Sequence, residues 1–133
     1  MAKADVPRSR QCVARLRDEL PALLDFLLDR APMLKAYLDS RPRTCGAPNC
    51  RCAQGEKHPA WVARIPDGST ARSRSIPEAV FRRLEPLALQ YREFRLKLAR
   101  VRRLFRDADD ALRVIEGSRL IDLDSELRKE REE

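Results

Sequence analysis

The chain has 133 residues with 28 Lys and Arg against 21 Asp and Glu, a formal net charge of +7, and only 5% aromatic residues. That length allows one domain, or one small aliphatic core with helical arms. No apolar run is long enough to cross a bilayer, so a membrane partner is excluded, and the basic balance favours acidic partners, nucleic acid first and DNA before RNA.

The start, Met1 to Arg10, is polar and basic without an apolar core of the signal-peptide kind, and it reads as a disordered arm on a cytoplasmic protein with reduced thiols. Val13, Leu16, Leu20, Leu23, Leu24, Leu27 and Leu28 then recur at helical spacing. Pro21 interrupts this stripe, so either the helix kinks there or, the preferred reading, a second helix starts with Pro21 in its first turn, following Asp18 and Glu19. Met33, Leu34, Tyr37 and Leu38 extend the apolar face, and Asp39-Ser40-Arg41-Pro42 closes a helical arm over 1–42. Cys12 reads as a small apolar residue of the first helix.

The next segment, 43–76, holds the chemistry. Cys45-Gly46-Ala47-Pro48-Asn49-Cys50-Arg51-Cys52-Ala53-Gln54-Gly55-Glu56-Lys57-His58 contains three of the four cysteines and the sole histidine. The pattern C-x4-C-x-C-x5-H, punctuated by turn-forming Gly46, Pro48 and Gly55, lets Cys45, Cys50, Cys52 and His58 converge as a closed, structural Cys3His zinc shell. Disulfides are the first alternative, although Cys50 and Cys52 are poorly placed to bond each other. Inert cysteines and an iron–sulfur cluster remain as others, and a cluster usually wants a fourth cysteine near at hand. Downstream, Trp61–Ile65 and Thr70–Ile76 flank Pro66-Asp67-Gly68-Ser69, a β-hairpin signal. A two-residue turn at Asp67-Gly68 would set Trp61 opposite Arg74, Ala63 opposite Arg72 and Ile65 opposite Thr70. Arg64 would then lie on the other face.

Pro77 and Glu78 open a long helix over 77–117. Val80, Leu84, Leu87, Tyr91, Phe94, Leu98, Val101, Phe105, Ala108, Leu112 and Ile115 fall at alternating steps of four and three, a heptad seam ending near Gly117. Thirty-six residues at about 1.5 Å each make a rod of roughly 54 Å, so something must bury the seam: the N-terminal helices folded back, or a second copy in a homodimer. Pro86, off the seam, should bend the first turns. Between Arg82 and Arg106 nine basic residues stand against two acidic ones, whereas the stretch from Asp107 to Glu133 has ten acidic and five basic. A last short helix over 118–133 carries Leu120, Leu123 and Leu127. The fold class is therefore mainly α, with N-terminal helices and a long heptad-patterned helix flanking a small zinc-stabilised β-hairpin.

Two functions compete. Arg64, Arg72 and Arg74 on the hairpin, with Arg92, Arg95, Arg100 and Arg103 on the long helix, would contact nucleic-acid phosphates. Alternatively the arginines are a solvated face and the seam serves a coiled-coil interaction adaptor. An enzyme is not expected: the one histidine is taken by the metal, and no phosphate loop or serine elbow occurs. Cys45-Gly46-x-Pro48-Asn49-Cys50-Arg51-Cys52-Ala53-x-Gly55-x-x-His58, followed by Thr70-Ala71-Arg72-Ser73-Arg74-Ser75-Ile76-Pro77 and Tyr91-Arg92-x-Phe94-Arg95, resembles a family of small prokaryotic proteins of unknown function often encoded beside transposases. The resemblance covers roughly Met33 to Leu104 and implies a mobile-DNA context. Members usually carry a glycine and several tyrosines after the histidine, where this chain has Pro59-Ala60-Trp61-Val62.

Overall fold

The structure, a computed structural model, describes residues 5–133. It divides into two compact units, one combining the stretch up to Asp29 with Leu96–Glu133, the other formed by Arg30–Arg95. The expected polar arm falls partly on residues 1–4, outside the described residues; from Val6 onward the chain is helical.

In the first unit, helix α1 spans Val6–Leu27. Asp5 caps it by accepting the Arg8 N–H at 3.0 Å, which satisfies one of the otherwise orphaned N-terminal donors. Pro21 does not start a second helix but lies inside this one. The missing N–H costs one hydrogen bond at an exposed position, while Leu16, Leu20, Leu23 and Leu27 stay half-buried along one uninterrupted stripe. The stripe runs antiparallel to the second part of helix α2, Glu78–Arg119. Arg100 donates to Glu19 at 2.6 Å, the Lys97 ammonium sits 4.8 Å from the Phe26 ring centroid, and Ile115 shares a cavity wall with Arg10, Val13 and Ala14. Within this unit the seam is thus met by the N-terminal helix folded back.

The inward line keeps Val101 and Ala108 of the expected seam but departs from it at Phe105 and Leu112. Val101, Leu104, Ala108 and Ala111 are buried, whereas Phe105 and Leu112 are each 50% exposed. Val101, Leu104, Ala108 and Ala111 themselves step by three, four and three, so the buried stripe is a second heptad line that shares Val101 and Ala108 with the first and takes the neighbouring side of the helix. The helix passes Gly117 and ends at Arg119. Helix α3 is therefore shorter than the expected 118–133, spanning Leu123–Glu132, with Asp122 accepting the Ser125 N–H at 2.9 Å as its cap. Leu120, Leu123 and Leu127 are exposed.

In the second unit, strand β1 (Tyr37–Ser40), β2 (Trp61–Asp67) and β3 (Thr70–Ile76) form an antiparallel sheet in that order. The apolar residues expected to prolong the helical arm are not helical: Met33 and Leu34 precede β1, where Leu34 N–H bonds the Leu87 carbonyl at 3.0 Å, and Tyr37 and Leu38 lie in β1, Tyr37 pairing with Arg64. A third strand relieves the marginal stability of an isolated hairpin. The β2–β3 turn is Gly68-Ser69, with Asp67 opposite Thr70 and Gly68 at φ +64°, so the partners move by two: Trp61 faces Ile76, Ala63 faces Arg74 and Ile65 faces Arg72. Positive φ is needed at the first turn position to match the strand twist, and Gly68 supplies it where Asp67 would be strained. Arg64 does lie on the face opposite Arg72 and Arg74, since neighbours along a strand alternate. Beneath the sheet Trp61 packs on Phe81 with centroids 4.6 Å apart, and Phe81, Val62 and Ala63 are buried. Pro77 starts α2 by giving its carbonyl to the Phe81 N–H at 3.0 Å.

Candidate metal centre

The loop between β1 and β2 is closed at its base by backbone. Arg41 N–H reaches the Ala60 carbonyl at 2.7 Å, and Arg43 and His58 exchange both hydrogen bonds at 2.8 Å. The last pair extends the ladder to the first and last candidate ligands: Cys45 follows Arg43 by two residues, and His58 is itself a member. Gly46 then takes φ +81°, open to glycine without a Cβ penalty. Cys50 N–H bonds the Ala47 carbonyl at 3.2 Å, and Ala53 N–H returns to the Cys50 carbonyl at 3.1 Å. These bonds wind Arg51–Ala53 into one tight 3-10 turn, which buries Cys52 and turns it toward Cys45. A Cβ on Gly55 would stand 3.3 Å from the Arg51 carbonyl oxygen, so the exit of that turn also favours glycine.

The result brings the four expected ligands together. The donor atoms of Cys45, Cys50, Cys52 and His58 all lie within 4.8 Å of one another. Cys45 Sγ is 3.4 Å from Cys52 Sγ, and Cys50 Sγ is 3.1 Å from His58 Nε2. A tetrahedral site with metal–sulfur bonds of about 2.3 Å has donor–donor edges of about 3.8 Å, so the spacing suits a metal ion with no large movement. All four cysteines are free thiols.

The electrostatics divide the four groups, two biased toward the ligating form and two toward the protonated one. The Cys52 backbone N–H, then the Cys52 thiol and the imidazole, pull the Cys50 thiol down to about 6. Cys45 is lowered first by the Ala47 N–H and next by Cys52. For Cys52 the Cys45 N–H, 3.3 Å from its sulfur, acts downward, but burial and two neighbouring thiols outweigh it and the thiol is raised. Hydrogen bonding to Cys50, then to Cys45, raises His58. Three sulfurs and one imidazole, two of the thiols already biased toward thiolate, could hold one metal ion with their shared negative charge. Cys12, in α1, belongs to the other unit.

The arginines expected to meet phosphate are divided between the two units. Arg64, Arg72, Arg74, Arg92 and Arg95 belong to the Arg30–Arg95 unit and all are exposed. Arg72 stands 3.5 Å from Asp67 across the turn, an exposed pair of little energetic weight. Arg100 and Arg103 belong to the other unit; Arg103 is exposed, but Arg100 is engaged by Glu19. Trp61 is also occupied, by Phe81 on one side and the Arg82 guanidinium 5.3 Å from its centroid. The spacing of charges in the sequence carried no signal for the Arg100–Glu19 bond, whose partners are 81 residues apart. No helix among the described residues is long and apolar enough to cross a membrane.

A family model described as Domain of unknown function (DUF6788) matches residues 5–85, which include α1, the whole sheet and every residue of the Cys/His cluster. No curated protein and no solved structure matches the chain.

Proposed function

We propose that this chain, which belongs to the DUF6788 family of unknown function, is a nucleic-acid-binding accessory protein built around one structural zinc ion. The observation that carries the reading is the closed Cys3His cluster at the root of a sheet whose edge strand β3 exposes Arg72 and Arg74. Zinc fits three sulfurs and one nitrogen better than harder cations do, and four protein ligands leave no position for an activated water. The ion's role is to fix the loop and sheet; the arginines supply the contact, largely with backbone phosphates and without sequence readout. The protein is not itself an enzyme. Its context is transposition or other mobile DNA, supported by the resemblance of the cysteine motif to proteins often encoded beside transposases.

The test is binding of a labelled duplex across a salt series. Each lost phosphate contact lowers the log–log salt slope by about 0.9, so Arg72→Ala/Arg74→Ala should reduce it by about 2. An unchanged affinity and slope would reduce the hairpin arginines to a solvated edge. The second reading, an interaction adaptor or homodimer, is favoured by the half-exposed Phe105 and Leu112 on α2. Sedimentation distinguishes it: a homodimer that Leu112→Glu splits and high salt leaves intact would support the adaptor.

A further inference from the structure

Within the Arg30–Arg95 unit a cavity of about 580 Å³ opens between β1 and the first part of α2, a volume typical of small-ligand clefts. Lys35, Tyr37 and Leu38 form one wall, and Leu89, Arg92 and Arg95 belong to the other. Tyr37 is 59% exposed and Leu89 is 53% exposed. The charge of the lining is one-sided: three cations stand against the single carboxylate of Glu85. Among the described residues no ion pair holds Lys35, Arg92 or Arg95, and the ladder partner of Tyr37 is the exposed Arg64.

We propose that this groove binds single-stranded nucleic acid, with an unpaired base stacked on Tyr37 and the flanking phosphates held by Lys35, Arg92 and Arg95. The proposal rests on the nucleic-acid reading above and names a site separate from the hairpin arginines. An accessible ring between cations is the combination that sequence-tolerant strand binding uses: stacking for the base, charge for the backbone. A duplex offers no free base face to such a ring, and an acidic peptide would use the cations without it. Trp61 cannot take this part, because Phe81 and Arg82 already cover it.

The experiment measures fluorescence anisotropy of a labelled short oligothymidylate and of a labelled duplex with the full chain. Tyr37→Ala, at an exposed position, should weaken single-strand binding by between about 5-fold and 100-fold with no change in salt slope or duplex affinity, and Tyr37→Phe should bind as the wild type. Arg92→Ala/Arg95→Ala should instead lower the single-strand salt slope by about 1.4. Strand binding that ignores Tyr37→Ala, or that polyglutamate displaces as readily from Tyr37→Ala as from wild type, overturns the groove. Duplex binding without strand binding overturns the groove and leaves the nucleic-acid reading standing. Binding of neither probe overturns both.

Discussion

The four cluster side chains are not equivalent, because each meets different hydrogens. Cys50, with its thiol brought down to about 6, is the sulfur most fully ionised at neutral pH and pairs directly with the imidazole. Cys50→Ser should therefore drop metal content from about one zinc per chain toward zero, while Cys12→Ser leaves it unchanged, as read by elemental analysis of purified protein. A second residue-scale expectation concerns Asp122. The Ser125 hydroxyl and then the Ser125 N–H hold its carboxyl below the usual carboxylate value. A depressed folded-state pKa means that the cap stabilises α3 above the unfolded pKa of about 3.9 and is lost as pH falls through the lower folded value. The protection of the Ser125 amide relative to its intrinsic exchange rate should fall over that acid range, and Asp122→Ala should show the lower protection already at neutral pH.

Among the elements, the long helix gives the sharpest contrast. Leu104 is 3% exposed and Leu112 50% exposed, although the heptad pattern includes Leu112 and passes over Leu104. Leu104→Ala should cost about 3 kcal/mol in a denaturant melt, whereas Leu112→Ala should cost under about 1 kcal/mol in the monomer. Equal losses would restore the heptad line. The long helix was legible because its apolar period persists over many turns, and the hairpin because Asp67-Gly68-Ser69 punctuates two extended runs. Its register was not, since the position of Gly68 within the turn decides every pair and neither flank has a strict alternation to fix it. Strand β1 escaped because four residues carry little periodicity, and Met33, Leu34, Tyr37 and Leu38 satisfy a helical spacing as well as an extended one. Pro21 misled in the opposite direction, since an exposed proline can be absorbed when the stripe around it is continuous. The Cys/His cluster was the most readable feature, because its members come from one piece of chain and need no distant partner.

For the molecule as a whole, the division into two units predicts a split response to metal removal. Chelation at neutral pH should expose the amides of Arg43, His58 and the β1–β2 ladder to hydrogen exchange, with those of α1 and of Val101–Ala111 still protected. Unchanged protection throughout would deny the ion a structural role. The units also differ in how their residues are spread along the chain. Arg30–Arg95 is uninterrupted, while the other unit needs α1 and residues from Leu96 onward. During synthesis from the N-terminus, at about 5–20 residues per second, α1 emerges several seconds before its partner. The sheet with its Cys/His cluster is complete in the meantime, and the nascent α1 must keep its leucine stripe from other chains until Val101, Leu104, Ala108 and Ala111 have left the ribosome.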